Sequence, residues 1–317
     1  MRELLVELAL GLREHVLPHL GSHAGRAHVQ AGTGGDVTFA IDEEAEAWLE
    51  RYLAAQDAPL AFYSEDRGLV EPPGGADTVL VVDPIDGTRP AMAGLEGCCV
   101  SVAAAPLDGE PTMRDVHTGC VVEIKSGTTF TAERGNGAEI RSANRELPTA
   151  NLSRTTDISR MFWTLGFRGR PAIPLVTVLG ELIDTSSVGG AVFDLGSACF
   201  DLTRIVTGQL DAYLDIGSRM IDDVPALREE FEQVGGGAVL NNSPYDLAAA
   251  VLIVEEAGGT VTDARGEPLA GRPLLGSGHR YQMSCVAAAN RELHSEILRV
   301  LERGFARLAR TFAPKLA

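Results

Sequence analysis

An apolar, β-branched run, Thr78-Val79-Leu80-Val81-Val82, stops abruptly at Asp83-Pro84-Ile85-Asp86-Gly87-Thr88. A run of that length suits a buried strand, and its sharp polar end delivers a loop to one edge of a sheet. The Pro84-Ile85 step restricts the backbone between the acids, so Asp83 and Asp86 can leave one tight loop toward a common point. A hard cation suits that point, because Mg2+ prefers octahedral oxygen coordination and is commonly held by a few carboxylates plus substrate phosphate. Gly87 leaves backbone N–H groups open to a phosphate, and the Thr88 hydroxyl can orient a water. Taken alone, the D-P-x-D-G fragment is also an ordinary turn formula, since each of these residues is favoured in turns for local reasons.

The 317 residues suggest about two associated domains. An apolar share of 45% and a charged share of 22% describe a globular chain. A net charge of −17 argues against nucleic-acid polymers and membrane surfaces as partners, since both demand a cationic face. Most of the 44 acids must then be solvated surface, and only position can select the functional few. Cys98, Cys99, Cys120, Cys199 and Cys285 are odd in number and lack CxxC spacing, which reads as buried thiols in a reducing compartment. Acids interrupt the opening Met1 to Glu7 segment and no apolar run reaches membrane-spanning length, so the expected location is cytoplasmic.

Leu4, Leu5, Leu8, Leu12 and Val16 predict an opening amphipathic helix closed by Pro18 and Gly21. Gly32 to Gly35 reads as a loop, and a second helix is expected from Asp42, with Ala45, Trp48, Leu49 and Tyr52 on its apolar side. Strands are expected at 100–105, 119–124 and 128–131. Beyond about residue 144, helices are expected at 197–207, 247–257 and 291–312, with strands at 210–214, 260–262 and 284–289. The expected organisation is an α+β domain over 1–143 and an α/β domain over 144–317.

Val81 to Thr88 resembles the signature of the inositol monophosphatase and fructose-1,6-bisphosphatase superfamily. A second stretch, Tyr245-Asp246-Leu247-Ala248-Ala249-Ala250 running to Glu256-Ala257-Gly258-Gly259, is similar to that family's second signature, in the expected order. Phe62 to Asp66 resembles its Glu-Glu element, and Gly35 to Asp42 its water-orienting segment. Leu195 to Ala198 and Gly208 to Tyr213 resemble its substrate-side elements.

The resemblance implies a layered α/β/α/β/α sandwich with the site between the domains. It implies metal ligation by Glu65, Asp83, the Ile85 carbonyl, Asp86 and Asp246, with Glu65 also counted among the catalytic residues. Two or three Mg2+ ions are expected, with Mn2+ as a substitute. Thr88 and Asp42 would activate water for in-line attack, while a metal shared through Asp83 would stabilise the leaving alkoxide. Gly87, Thr88, Gly196, Ser197, Asp215 and Asp246 would bind substrate, Asp215 through a hydroxyl, although a solvated acid at a strand end is the alternative for that residue. For Asp42 and Asp246 the alternative is a helix cap, for Glu65 an ordinary surface acid, and Asp223 competes with Asp246. A homodimer is also implied.

The chain departs from the pattern at Ser64, Asp66, Arg89-Pro90, Tyr245 and Ala250, none of them an expected ligand. Arg89 could bind a second phosphate, the alternatives being a solvent-facing guanidinium or one paired with a nearby acid. Residues 216–244 are longer than the family's usual link, with a helix expected over 224–234. The substrate ranking is inositol-1-phosphate or a similar sugar or polyol phosphate, then fructose-1,6-bisphosphate, then 3′-nucleotides and NADP. A catalytically silent metabolite-binding regulator and a structural protein are the readings from other classes.

Overall fold

The computed structural model describes residues 1–22, 28–31, 37–56, 59–142 and 150–312. The chain opens with α1 (Arg2–Val16), the antiparallel pair β1 (His28–Ala31) and β2 (Val37–Phe39), and α2 (Ala40–Ala54). A seven-stranded sheet follows, from β3 (Ala61–Ser64), β4 (Gly68–Val70), β5 (Thr78–Asp86), β6 (Cys99–Pro106), β7 (Thr118–Glu123), β8 (Thr129–Glu133) and β9 (Ala138–Arg141). Its spatial order is β4-β3-β5-β6-β7-β8-β9, and the short α3 (Thr88–Ala93) bridges β5 and β6.

The rest of the chain runs through β10 (Phe162–Leu165), α4 (Ala172–Ser186), β11 (Ala191–Phe193), α5 (Ala198–Val206), β12 (Ala212–Asp215) and α6 (Gly217–Asp223). It closes with α7 (Arg228–Val234), α8 (Pro244–Glu256), β13 (Thr260–Thr262), β14 (Cys285–Ala288) and α9 (Arg291–Phe312). These five strands form a second sheet in the order β11-β10-β12-β14-β13.

The layers are α/β/α/β/α, as expected. Along β5, alternate side chains enter different cores: Leu80 and Val82 join Leu5, Leu8, Leu12 and Leu49 of α1 and α2, while Val79 and Val81 join α5 and α8. A strand covered on both faces needs a continuous apolar sequence, which is why this stretch does not alternate with polar residues. The α8 helix is apolar all round from Leu247 to Val254 because it lies between the two sheets. Gly119 on β7 admits its close approach, since a Cβ there would stand 2.9 Å from the Ala249 carbonyl oxygen. The outer layer, α4 and α9, is apolar on one side only, with Leu293, Ile297, Leu301, Phe305 and Leu308 turned in.

Several local expectations shift. The second helix starts at Ala40, two residues before Asp42. The helix expected over 224–234 is divided at Pro225 into a 3-10 turn (Pro225–Leu227) and α7, and α6 precedes it unannounced by the sequence pattern. All five cysteines are buried and unpaired. The Gly32 to Gly35 loop, Asp36 and the 143/144 domain boundary lie outside the described residues. Among the described residues no helix is long and apolar enough to cross a membrane.

Candidate active site

The strand expected to end at Val82 continues to Asp86. Asp83 pairs with Ser101 and Asp86 with Cys99, so three steps on β5 oppose two on β6. In a regular strand residues i and i+3 face opposite sides, whereas one extra residue resets the alternation. The bulge therefore turns both carboxylates the same way. Pro84 sits within it, where its missing N–H costs no ladder bond, and the Ile85 N–H donates to Asp83 Oδ1 at 3.0 Å.

The third acid arrives from α8. Asp246 occupies the third position of that helix, and its Oδ2 accepts the Ser243 N–H at 2.6 Å in a capping box. The helix-cap reading of Asp246 and its place in the site thus hold together. Ligand oxygens of Asp83, Asp86 and Asp246 lie within 4.8 Å of one another. The competitor Asp223 is instead engaged by Arg219 and Arg265. Asp86 Oδ2 is held by the Ser197 hydroxyl (2.7 Å) and the Cys199 N–H (2.6 Å) at the start of α5. The start of α5 thereby fixes a carboxylate carried by β5.

Asp83 and Asp86 are buried. Burial, then the neighbouring charges of Asp86, Asp246 and Glu65, hold the Asp83 carboxyl well above its ordinary range. Asp246 is pushed up to about 8 by burial and by Asp86, against the Ser243 N–H and the Arg168 and Arg170 charges. Burial raises Asp86 too, opposed by the bonds from Ser197 and Cys199. Hard, acceptor-only oxygens crowded against mutual repulsion fit a divalent cation, which offsets desolvation and repulsion together.

Beside this cluster Thr88 begins α3. Its hydroxyl lies 3.1 Å from Asp42 Oδ1 and 3.2 Å from the Ile85 carbonyl oxygen, and its one proton can serve only one of them at a time. Asp42 Oδ2 accepts the Phe39 N–H at 3.0 Å, which anchors the carboxylate at the start of α2. Gly87 has φ of +88°, and a Cβ there would strike the Gly97 carbonyl oxygen and come within 2.8 Å of Ser197 Cβ.

A cleft of about 350 Å3 is lined by Glu65, Asp83, Ile85, Asp86, Gly87, Thr88, Gly196 and Asp246 among others, with Asp42 behind Thr88 and outside the lining. Glu65 borders it outside the compact triad. Ser197 caps α5 behind Asp86, accepting the Phe200 N–H at 3.1 Å. Arg89 lines the mouth with its guanidinium over the Phe39 ring.

Asp215 is placed differently from either expectation. It is fully buried, ion-paired with Arg170, accepts the Gly217 N–H at 3.0 Å and is not among the residues lining the cleft. It is therefore no solvated acid, and its carboxylate is committed to a guanidinium. Arg168 and Asp194, which do line the cleft, escaped the sequence reading. The signal for Arg168 was Gly166-Phe167-Arg168-Gly169-Arg170-Pro171, a glycine-punctuated basic loop straight after a strand.

Two sheets joined through buried helices, with clustered carboxylates at the junction and a hydroxyl–carboxylate pair at their side, define a layered α/β protein with a candidate divalent-metal site. Residues 1–304 match the model of the inositol monophosphatase family, and the chain belongs to that family. It is 29% identical to a fructose-1,6-bisphosphatase/inositol-1-monophosphatase of Methanothermobacter thermautotrophicus, over 94% of this chain and 95% of that one. It is 28% identical to the Nus factor SuhB of Xylella fastidiosa, over 75% and 73%. The crystal structure of the extragenic suppressor protein suhB from Bartonella henselae superposes with a TM-score of 0.70 at 21% identity, covering 95% of this chain and 98% of that one.

Proposed function

We propose that the protein is a Mg2+-dependent phosphomonoesterase of a small phosphorylated metabolite, with inositol-1-phosphate or a related sugar or polyol phosphate as the preferred class. The observation that carries this reading is the Thr88–Asp42 pair standing beside three converging carboxylates. Asp83, Asp86 and Asp246, with Glu65 and the Ile85 carbonyl, would hold the cations. When bound, divalent cations lower the pKa of water and neutralise charge on phosphoryl and leaving-group oxygens.

The chain's own residues supply position and a proton path. With its hydroxyl proton directed to Asp42 Oδ1, Thr88 turns lone pairs outward to accept a hydrogen bond from the attacking water. The water proton can then move through Thr88 Oγ1 to Asp42 Oδ1. Gly87, without a Cβ, lets a phosphate approach the backbone, and the start of α5 keeps Asp86 from rotating. No phosphoenzyme is needed.

Fructose-1,6-bisphosphate is the second reading, favoured by two guanidinium groups, Arg89 and Arg168, on the cleft wall and by the dual name of the archaeal relative. Phosphate release from both esters, with and without Mg2+, in wild type and Asp86→Asn, tests the proposal. Mg2+-dependent release lost in the variant is the expected result. Release that persists without divalent cations, or in Asp86→Asn, would overturn it.

A further inference from the structure

Glu65 opens the short turn between β3 and β4, in which Ser64 pairs with Gly68. β3 runs parallel to β5 with Ser64 beside Val82, so Glu65 leaves the sheet at the same edge as Asp83. A turn that short moves with its strands, and whatever holds the end of β3 sets where Glu65 stands. Successive side chains of a strand face opposite ways, and here both faces are engaged. On the α2 face, the Ser64 hydroxyl donates to Glu46 Oε2 at 2.8 Å, and Arg67 in the turn is ion-paired with Glu43 and Glu50. On the α8 face, Tyr63 stacks on Tyr245, with ring centroids 6.4 Å apart and planes inclined by 19°. Both tyrosines are buried, and the Tyr63 hydroxyl is hydrogen-bonded to the Ser277 side chain.

A buried aromatic pair is ordinarily core packing. What sets this one apart is its address: Tyr63 lies two residues before Glu65, and Tyr245 immediately precedes Asp246 in the first turn of α8. The stack thus joins the strand that carries one expected cation ligand to the helix that carries another. Glu65, Tyr245, Asp246 and Ser277 also border one small cavity of about 20 Å3. Burial, then the charge of Glu65, hold the Tyr245 phenol well above its ordinary range, in keeping with a carboxylate close to that ring. Neither ring lines the cleft itself, whereas Glu65 and Asp246 do.

We infer that Tyr63 and Tyr245 are positioning residues, whose stacked rings set the separation of Glu65 from Asp246 and through it the affinity of the site for a divalent cation. The inference rests on the phosphatase reading above, which makes both acids cation ligands. Ligands on separate elements bind one ion tightly only where those elements keep their spacing. The groups that orient such ligands without touching the ion typically govern about 10- to 100-fold of metal affinity. The Ser64–Glu46 bond holds β3 against α2, and the stack supplies the matching hold toward α8.

The test is Mn2+ binding, read from the electron paramagnetic resonance signal of the free ion, in wild type, Tyr63→Met, Tyr245→Met, Tyr245→Phe and Glu65→Gln. Methionine fills the space without supplying a ring. Either methionine variant should bind Mn2+ about 10-fold more weakly, while Tyr245→Phe, which keeps the ring, should stay within about twofold of wild type. Adding Tyr245→Met to Glu65→Gln should weaken binding no further than Glu65→Gln alone, because the stack acts through the spacing of that carboxylate. A folded methionine variant that binds Mn2+ within about twofold of wild type, or a double variant whose loss is the product of the singles, overturns the inference. Should neither methionine variant fold, near-ultraviolet circular dichroism decides. Saturating Mn2+ should change the tyrosine band of the wild type and leave that of Glu65→Gln unaltered, and an equal change in both overturns the inference. If the wild type binds no Mn2+, or Glu65→Gln binds it as tightly as wild type, the assignment of cation ligands itself fails and takes this inference with it.

Discussion

Replacing Thr88 by alanine removes one oxygen atom from the site and leaves the carboxylate cluster in place. The hydroxyl lies 3.1 Å from Asp42 Oδ1 and 3.2 Å from the Ile85 carbonyl oxygen, and can donate to only one at once. The half-buried side chain therefore loses about one net hydrogen bond, roughly 1 kcal/mol of stability. For a chain of this size that lowers Tm by only about 2 °C. Catalysis should suffer far more, because a positioned proton acceptor contributes about 10²- to 10⁴-fold. We expect kcat in saturating Mg2+ to fall about 10²- to 10³-fold, or about 3–4 kcal/mol of barrier, with little change in KM. Asp42→Asn should cost a similar factor, since it removes the proton acceptor behind Thr88. Because the two act as one unit, the double variant should be scarcely worse than the weaker single variant. Steady-state phosphate release, with thermal unfolding as a control, measures all four corners. Single-variant losses below about threefold, or a double-variant loss equal to the product of the singles, would refute the relay.

Glu46 on α2 is 2% exposed and accepts the Ser64 hydroxyl at 2.8 Å, and burial pushes its carboxyl from 4.5 up to about 7. The folded state holds this proton longer than the unfolded chain, so the associated stability is full below about pH 4.5 and is lost as pH rises through about 7. Glu46→Gln should remove that loss, narrowing the difference between urea unfolding free energies at pH 5 and pH 8 by up to about 3 kcal/mol; an unchanged difference would count against it. Arg170→Met leaves Asp215 buried without its cation and should cost about 3–5 kcal/mol in the same urea assay. Adding Asp215→Asn to that variant should recover much of the loss, and no recovery would show that Arg170 acts through packing instead.

The elements were legible in this chain wherever a period or a stop signal was strong. The 22-residue α9 announces itself by Leu293, Ile297, Leu301, Phe305 and Leu308, and α8 by its unbroken apolar stretch and glycine stop. Elements without such marks were missed. The seven-residue α6 carries no apolar stripe of its own because it is buried on several sides, with Ser218 and Arg219 interior.

By itself the sequence determined the layered α/β class and the family. It also supplied the acids at 83, 86 and 246, because these depend on residue type and order along the chain. Only the tertiary structure decided how those acids meet. The bulge between Asp83 and Asp86 is a matter of register against β6, and register is a relation between strands. The same holds for the substrate side. Arg170 reaches Asp215 across 45 residues, so the capture of that acid is a product of packing. Side-chain pairing at that separation leaves no periodic trace, since it is set by where the two sheets come to rest around α5 and α8.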